Sequence, residues 1–122
     1  MITALDHFTV LCRDLDRSVT FYAAAFGLAA GPRPDLGFAG AWLYAGGQAV
    51  LHLVAGRQVP GAGVIDHVAL RAAGLPVMKA RLEALEIAYR LARQAGSGTW
   101  QLFCHDPDGA RIELTFDAAE TE

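Results

Sequence analysis

The chain reads as an α+β protein built from two βαβββ modules that form a curved mixed sheet around a metal pocket. Three observations predict this. The segment Leu5-Asp6-His7 returns as Ile65-Asp66-His67, an offset of 60 (67 − 7). Ala49-Val50-Leu51-His52-Leu53 returns as Ala110-Arg111-Ile112-Glu113-Leu114, an offset of 61 (113 − 52). Between the members of each pair, the order of strand-like and helix-like stretches is the same. An offset that drifts by one residue over half the chain is what a single loop insertion produces, so the repeat is structural.

Each element has a local reason. His7 to Cys12 alternates apolar and polar residues and is rich in β-formers, which predicts a strand. Asp14 can cap the helix expected as far as Leu28, with Leu15, Val19, Tyr22 and Phe26 at helical spacing and Gly27 to end it. A weak strand at 29–33 and two stronger ones at 40–44 and 49–54 follow, the last two joined by Gly46-Gly47. Residues 57–63, with Pro60 and two glycines, read as the linker between modules at about 1–56 and 64–117 of one 122-residue domain. The second module repeats the order: a strand at 65–71, then a helix at 76–87 with Val77, Leu82 and Leu85 expected on one side. Strands at 89–93, 99–104 and 110–116 complete it. Asp106-Pro107-Asp108-Gly109 supplies the final turn.

Composition narrows the function. With 53% hydrophobic and 19% charged residues, one packed core needs no disulfide or metal staple for reasons of size. The net charge is −3 and the ten Lys and Arg residues are scattered, so no basic stripe for nucleic acid is present. The opening MITALDHF has neither a basic n-region nor a long apolar stretch, and FYAAAFGLAA is too short to span a bilayer. A cytoplasmic protein with no membrane partner is expected. Cys12 and Cys104 are not in a CxxC pair and read as buried thiols in a reducing compartment.

Four strands each carry one metal-competent side chain among apolar neighbours. Alternation along a strand puts Phe8 and Val10 on one face and His7 and Thr9 on the other. By the same parity His67, His52 and Glu113 oppose Val68 and Leu70, Leu51 and Leu53, and Ile112, Leu114 and Phe116. Imidazoles and a carboxylate suit one divalent ion of Zn, Fe, Ni, Co or Mn, and a carboxylate buried in RIELTF without a partner would be costly. The expected ligands are His7, His67 and Glu113, with His52 as a fourth ligand or a neighbouring polar group. Thr9, Thr99 and Gln101 are candidate polar residues of the substrate pocket. Trp42, Tyr44 and Trp100 are its candidate walls. His105, beside the final turn, is expected to be solvated.

These residues also form a familiar pattern. LDHFTVLCRDLDRSVTFYAAAFGL followed by LFCHDPDGARIELTF resembles the vicinal oxygen chelate superfamily over nearly the whole chain. That group holds glyoxalase I, fosfomycin-resistance thiol transferases, methylmalonyl-CoA epimerase, extradiol dioxygenases and bleomycin-resistance proteins. The resemblance implies paired modules around a metal, often in a homodimer, with His7, His52, His67 and Glu113 at the four ligand positions. Glyoxalase I has a glutamate where this chain has His52, a departure from the metal-bound base of that enzyme. Thr9 matches a threonine of the fosfomycin-modifying members. The implied activity is a metal-dependent lyase or isomerase acting on a small molecule chelated through vicinal oxygens, with Glu113 and His52 as the proton-handling residues. A metal-free ligand-binding protein of the bleomycin-resistance type and an Fe(II) dioxygenase are the competing readings.

Overall fold

The computed structural model describes residues 1–61 and 63–122; the expected linker at 57–63 therefore includes one residue, Ala62, outside the described ones. The chain divides into two compact units, Met1–Pro60 and Gly61–Glu122.

The first unit runs β1 (Phe8–Cys12), α1 (Leu15–Phe26), β2 (Ala29–Ala30), β3 (Gly40–Ala45) and β4 (Gln48–Ala55). Its sheet has the order β1-β4-β3-β2, with β1 parallel to β4 and the other pairs antiparallel. Asp14 caps α1 by accepting from the Arg17 amide at 3.1 Å. Gly27, at φ 73°, ends it while the Leu28 amide reaches back to the Tyr22 carbonyl at 3.1 Å. Helix α1 buries Ser18, Tyr22 and Ala25 and packs on β2, β3 and β4, where Leu43, Leu51 and Leu53 are also buried. Gly46 and Gly47 both have positive φ, as a two-residue hairpin between paired Ala45 and Gln48 requires.

The second unit runs β5 (Val68–Arg71), α2 (Leu75–Ala84), β6 (Arg90–Arg93), β7 (Trp100–His105) and β8 (Arg111–Phe116), in the sheet order β5-β8-β7-β6. Strand β5 is parallel to β8 and the other two pairs are antiparallel. Its core is Leu75, Leu82, Leu102, Cys104, Ile112, Leu114 and Phe116. The helix face differs from the sequence expectation: Val77 is 65% and Leu85 43% exposed, whereas Leu75 and Leu82 are fully buried. Val77 and Leu82 are five positions apart, which places them far around a helix of 3.6 residues per turn. Leu75, Met78 and Leu82 keep the proper spacing. No side chain at the N-cap, Gly74, closes α2. The Glu120 carboxylate does so from the chain's far end, accepting from the Gly74 amide at 3.1 Å and the Leu75 amide at 2.6 Å.

Both expected βαβββ orders are present, with most strand limits moved by a residue or two; the strand expected at 65–71 begins only at Val68, and the weak strand at 29–33 shortens to Ala29–Ala30. His7 and His67 stand one residue before β1 and β5. Among the described residues, no helix is long and apolar enough to cross a membrane.

Candidate metal-binding and catalytic site

In the second unit, strand parity separates a core face from a polar one. Ile112, Leu114 and Phe116 point into the core, so Arg111, Glu113 and Thr115 point the other way. Cross-strand partners share a face, which adds His105, Phe103 and Gln101 opposite Arg111, Glu113 and Thr115. Glu113 is only 5% exposed yet fully partnered. Gln101 Nε2 donates to its Oε1 at 2.8 Å, and Oε2 lies 2.8 Å from His67 Nε2. On its other side, His67 Nδ1 meets the Asp66 carboxylate at 2.7 Å, and Arg111 Nη1 holds the same Asp66 oxygen at 2.8 Å. The result is one chain of contacts, Arg111–Asp66–His67–Glu113–Gln101. The hydrogen bond from His67, aided by the Arg111 charge, holds the Asp66 carboxyl below its ordinary value.

The first unit orders its donors by stacking. His7 and His52 lie face to face with ring centroids 3.7 Å apart and planes 15° from parallel. Trp42, the cross-strand partner of His52, covers the other face of that imidazole at 4.3 Å and 10°. His7 Nδ1 meets Asp6 at 2.6 Å, repeating the contact of His67 with Asp66. Burial first, then the neighbouring His7, lower the His52 pKa from its ordinary value.

The donors suit a divalent cation. An Asp carboxylate that accepts a hydrogen bond from Nδ1–H leaves Nε2 of each histidine to ligate, the usual arrangement for metal-bound imidazole. His67 Nε2 and Glu113 Oε2 are as close as two atoms sharing one cation at ~2.0–2.2 Å can be. The stacked pair differs: the lone pairs of His7 and His52 lie in two nearly parallel ring planes, so they do not converge on one ion in this orientation. Among the described residues, no group of three His, Cys, Asp or Glu side chains is arranged to hold an ion within either unit.

The remaining candidates disperse. Thr9 is exposed on the His52 side of β1, in register with His52. The Tyr44 hydroxyl donates to the Pro32 carbonyl, and its ring fills the space a side chain at Gly31 would need. Thr99 closes the β6–β7 hairpin with its backbone: its carbonyl accepts from the Gln94 amide and its amide donates to the Ser97 hydroxyl. Trp100 pairs with Phe116 and donates Nε1 to the Glu120 carbonyl at 2.7 Å, so it belongs to the core side. His105 is exposed at the end of β7. Sequence reading missed Asp6, Asp66 and Arg111. The Asp-His dipeptide, present in both halves, carried a signal for the first two; Arg111 meets Asp66 only through the parallel register of β5 on β8.

Comparison with known proteins places these features in context. The family model for the Glyoxalase/Bleomycin resistance protein/Dioxygenase superfamily matches residues 4–114. A protein named Glyoxylase I 4 from Arabidopsis thaliana is 35% identical over 123 aligned positions, which cover 93% of this chain and 70% of that one. Among solved structures, a candidate glyoxalase family protein from Bacillus anthracis is similar at TM-score 0.82 and 21% identity, covering 96% of this chain and 97% of that one. A mutant fosfomycin resistance protein from Listeria monocytogenes, complexed with Mn(II) and 1S,2S-dihydroxypropylphosphonic acid, is similar at TM-score 0.79 and 16% identity, over 98% of this chain and 95% of that one. Lactoylglutathione lyase from Agrobacterium tumefaciens is similar at TM-score 0.68 and 22% identity, covering 94% of each chain.

Proposed function

Because the chain belongs to the Glyoxalase/Bleomycin resistance protein/Dioxygenase superfamily, we propose that it is a divalent-metal-dependent enzyme of glyoxalase type, acting on a small molecule with two adjacent oxygens. His7, His67 and Glu113 are the proposed ligands. The observation that carries this reading is the 2.8 Å approach of His67 Nε2 to Glu113 Oε2, with the opposite side of each group already held by Asp66 and Gln101. A cation bound there supplies positive charge against an oxyanion developing on the substrate.

The chain's own residues supply the rest. Asp66 and Asp6 each hold Nδ1 of their histidine, which leaves Nε2 of His67 directed at Glu113. Gln101 fixes one Glu113 oxygen and so orients the other. His52 is assigned to proton transfer rather than ligation, because its ring is committed to the stack between Trp42 and His7. Glu113 is the second candidate base. We also propose a homodimer: Ile2 and Leu5 before β1, and Val64 and Ile65 before β5, expose apolar surface that association would cover. Light scattering tests that point.

Elemental analysis of protein purified without added ions tests the site. Wild type should carry one divalent ion per chain, and His67→Ala and Glu113→Ala should lose nearly all of it. Unchanged occupancy in both variants overturns the assignment. A metal-free wild type that still binds small ligands supports sequestration, and oxygen uptake with catechols after iron loading supports a dioxygenase.

A further inference from the structure

The polar face of the first sheet continues past His52. Two residues along from the Trp42–His52 pair is the Gly40–Val54 pair, on the same face and roughly 6–7 Å away by strand rise. Gly40 has no room for a side chain: a Cβ there would lie 2.4 Å from the Leu53 carbonyl oxygen and 2.9 Å from Arg33 Nη2. The Arg33 guanidinium thus lies across the glycine. Its Nη2 donates to the Phe38 carbonyl at 3.0 Å and its Cζ is 5.1 Å from the centre of the Phe38 ring. A second guanidinium, Arg57, approaches the same ring at 5.5 Å.

This arrangement is electrostatically incomplete. Among the described residues, no carboxylate forms an ion pair with Arg33 or Arg57. The nearest acid in sequence, Asp35, accepts instead from the Gly37 amide at 3.0 Å. Arg33 Nε is buried without any hydrogen-bond partner, and a desolvated donor on a cation is costly unless something balances it. Contact with one aromatic face recovers part of that cost, but two cations sharing a ring repel each other. Phe38 itself stays 41% exposed, so the cluster is open to a ligand.

We propose that Arg33 and Arg57, set on Phe38, form an anion subsite that receives a carboxylate or phosphoryl group of the substrate. Guanidinium forks recognise either oxyanion through paired N–H donors. The substrate class is thereby narrowed to anionic molecules whose charged group lies beyond the oxygens engaged near His52. As a substrate subsite this rests on the proposed function; as an anion site it is testable in metal-free protein.

The experiment follows the arginine side-chain Nε–H signals of metal-stripped, full-length protein by NMR at constant ionic strength. Inorganic phosphate is titrated in one series, acetate in a second and chloride as control. Arg33 and Arg57 signals should shift together and saturably with phosphate, acetate or both, and not with chloride; which series saturates identifies the preferred oxyanion. Arg57→Gln, at an exposed position, should weaken binding at least tenfold, and Arg33→Lys, which keeps the charge but loses the fork, by a smaller factor. Linear shifts with both oxyanions, or unchanged affinity in both variants, overturn the proposal. His67→Ala separates the two ideas. Retained anion binding in that variant supports the arginine pair whatever the metal analysis shows, and lost binding places the anion elsewhere and overturns the proposal.

Discussion

The two units carry equivalent residues on equivalent strands and order them by different physics. By the 61-residue offset, Trp42 and His52 correspond to Phe103 and Glu113, and each is a cross-strand pair. In the second unit the donors are tied by directional bonds from Arg111 to Gln101. In the first, Asp6 holds His7 in the same way, but His52 sits between His7 and Trp42 in flat aromatic contact. Gly40 in the first unit corresponds to Gln101 in the second: one clears space for a guanidinium, the other braces a carboxylate. The two units thus share a frame and hold their polar side chains differently, one through a chain of hydrogen bonds and the other through stacked rings and guanidinium groups.

The largest expected effect breaks the comparison at its donors. Glu113→Gln should weaken divalent-metal affinity by more than about 100-fold, and His52→Gln by less than about tenfold while turnover falls; calorimetric titration and steady-state kinetics read the two. Equal losses of affinity would place His52 among the ligands. Next, Asp66→Ala should cost roughly 10–100-fold in metal affinity. Asp6→Ala should cost less, because Asp66 is fixed by Arg111 and the position equivalent to Arg111 is Val50.

The alternation of the four key strands was legible because bulky residues at every second position leave little doubt about parity. RIELTF placed Glu113 on the polar face without help from the structure, as did the runs around His7 and His52. Helix α2 was less legible: Val77 and Leu85 are apolar but off the buried stripe, and its cap, Glu120, lies 45 residues beyond Leu75 in the chain. The Arg111–Asp66 contact and the Arg33–Phe38–Arg57 cluster depend on strand register and loop path, which local periodicity does not encode.

Smaller effects sharpen the contrast. Gly40→Ala should destabilise the protein by about 1–3 kcal/mol through overpacking against the Leu53 carbonyl, measured by urea unfolding. Gln101→Ala should cost about 1–3 kcal/mol by leaving a buried Glu113 oxygen unpaired. The smallest effect is alkaline. Burial pushes the Cys104 thiol up from 9.0 to about 11. An unfolded chain therefore ionises first, so stability present below pH 9 declines between pH 9 and 11. Cys104→Ala should flatten that part of the stability–pH curve.

The turn between β7 and β8 is knotted onto one carboxylate: Asp106 Oδ1 accepts from the amides of Asp108 at 2.9 Å and Ala110 at 2.8 Å, and Gly109 takes φ 92°. Its length sets the phase of everything downstream. Adding or deleting one residue there would swap the two sides of β8, sending the acid of residue 113 into oil and Ile112 into water. Descendants of this chain are free to vary the letters around that corner far more readily than they can change its count.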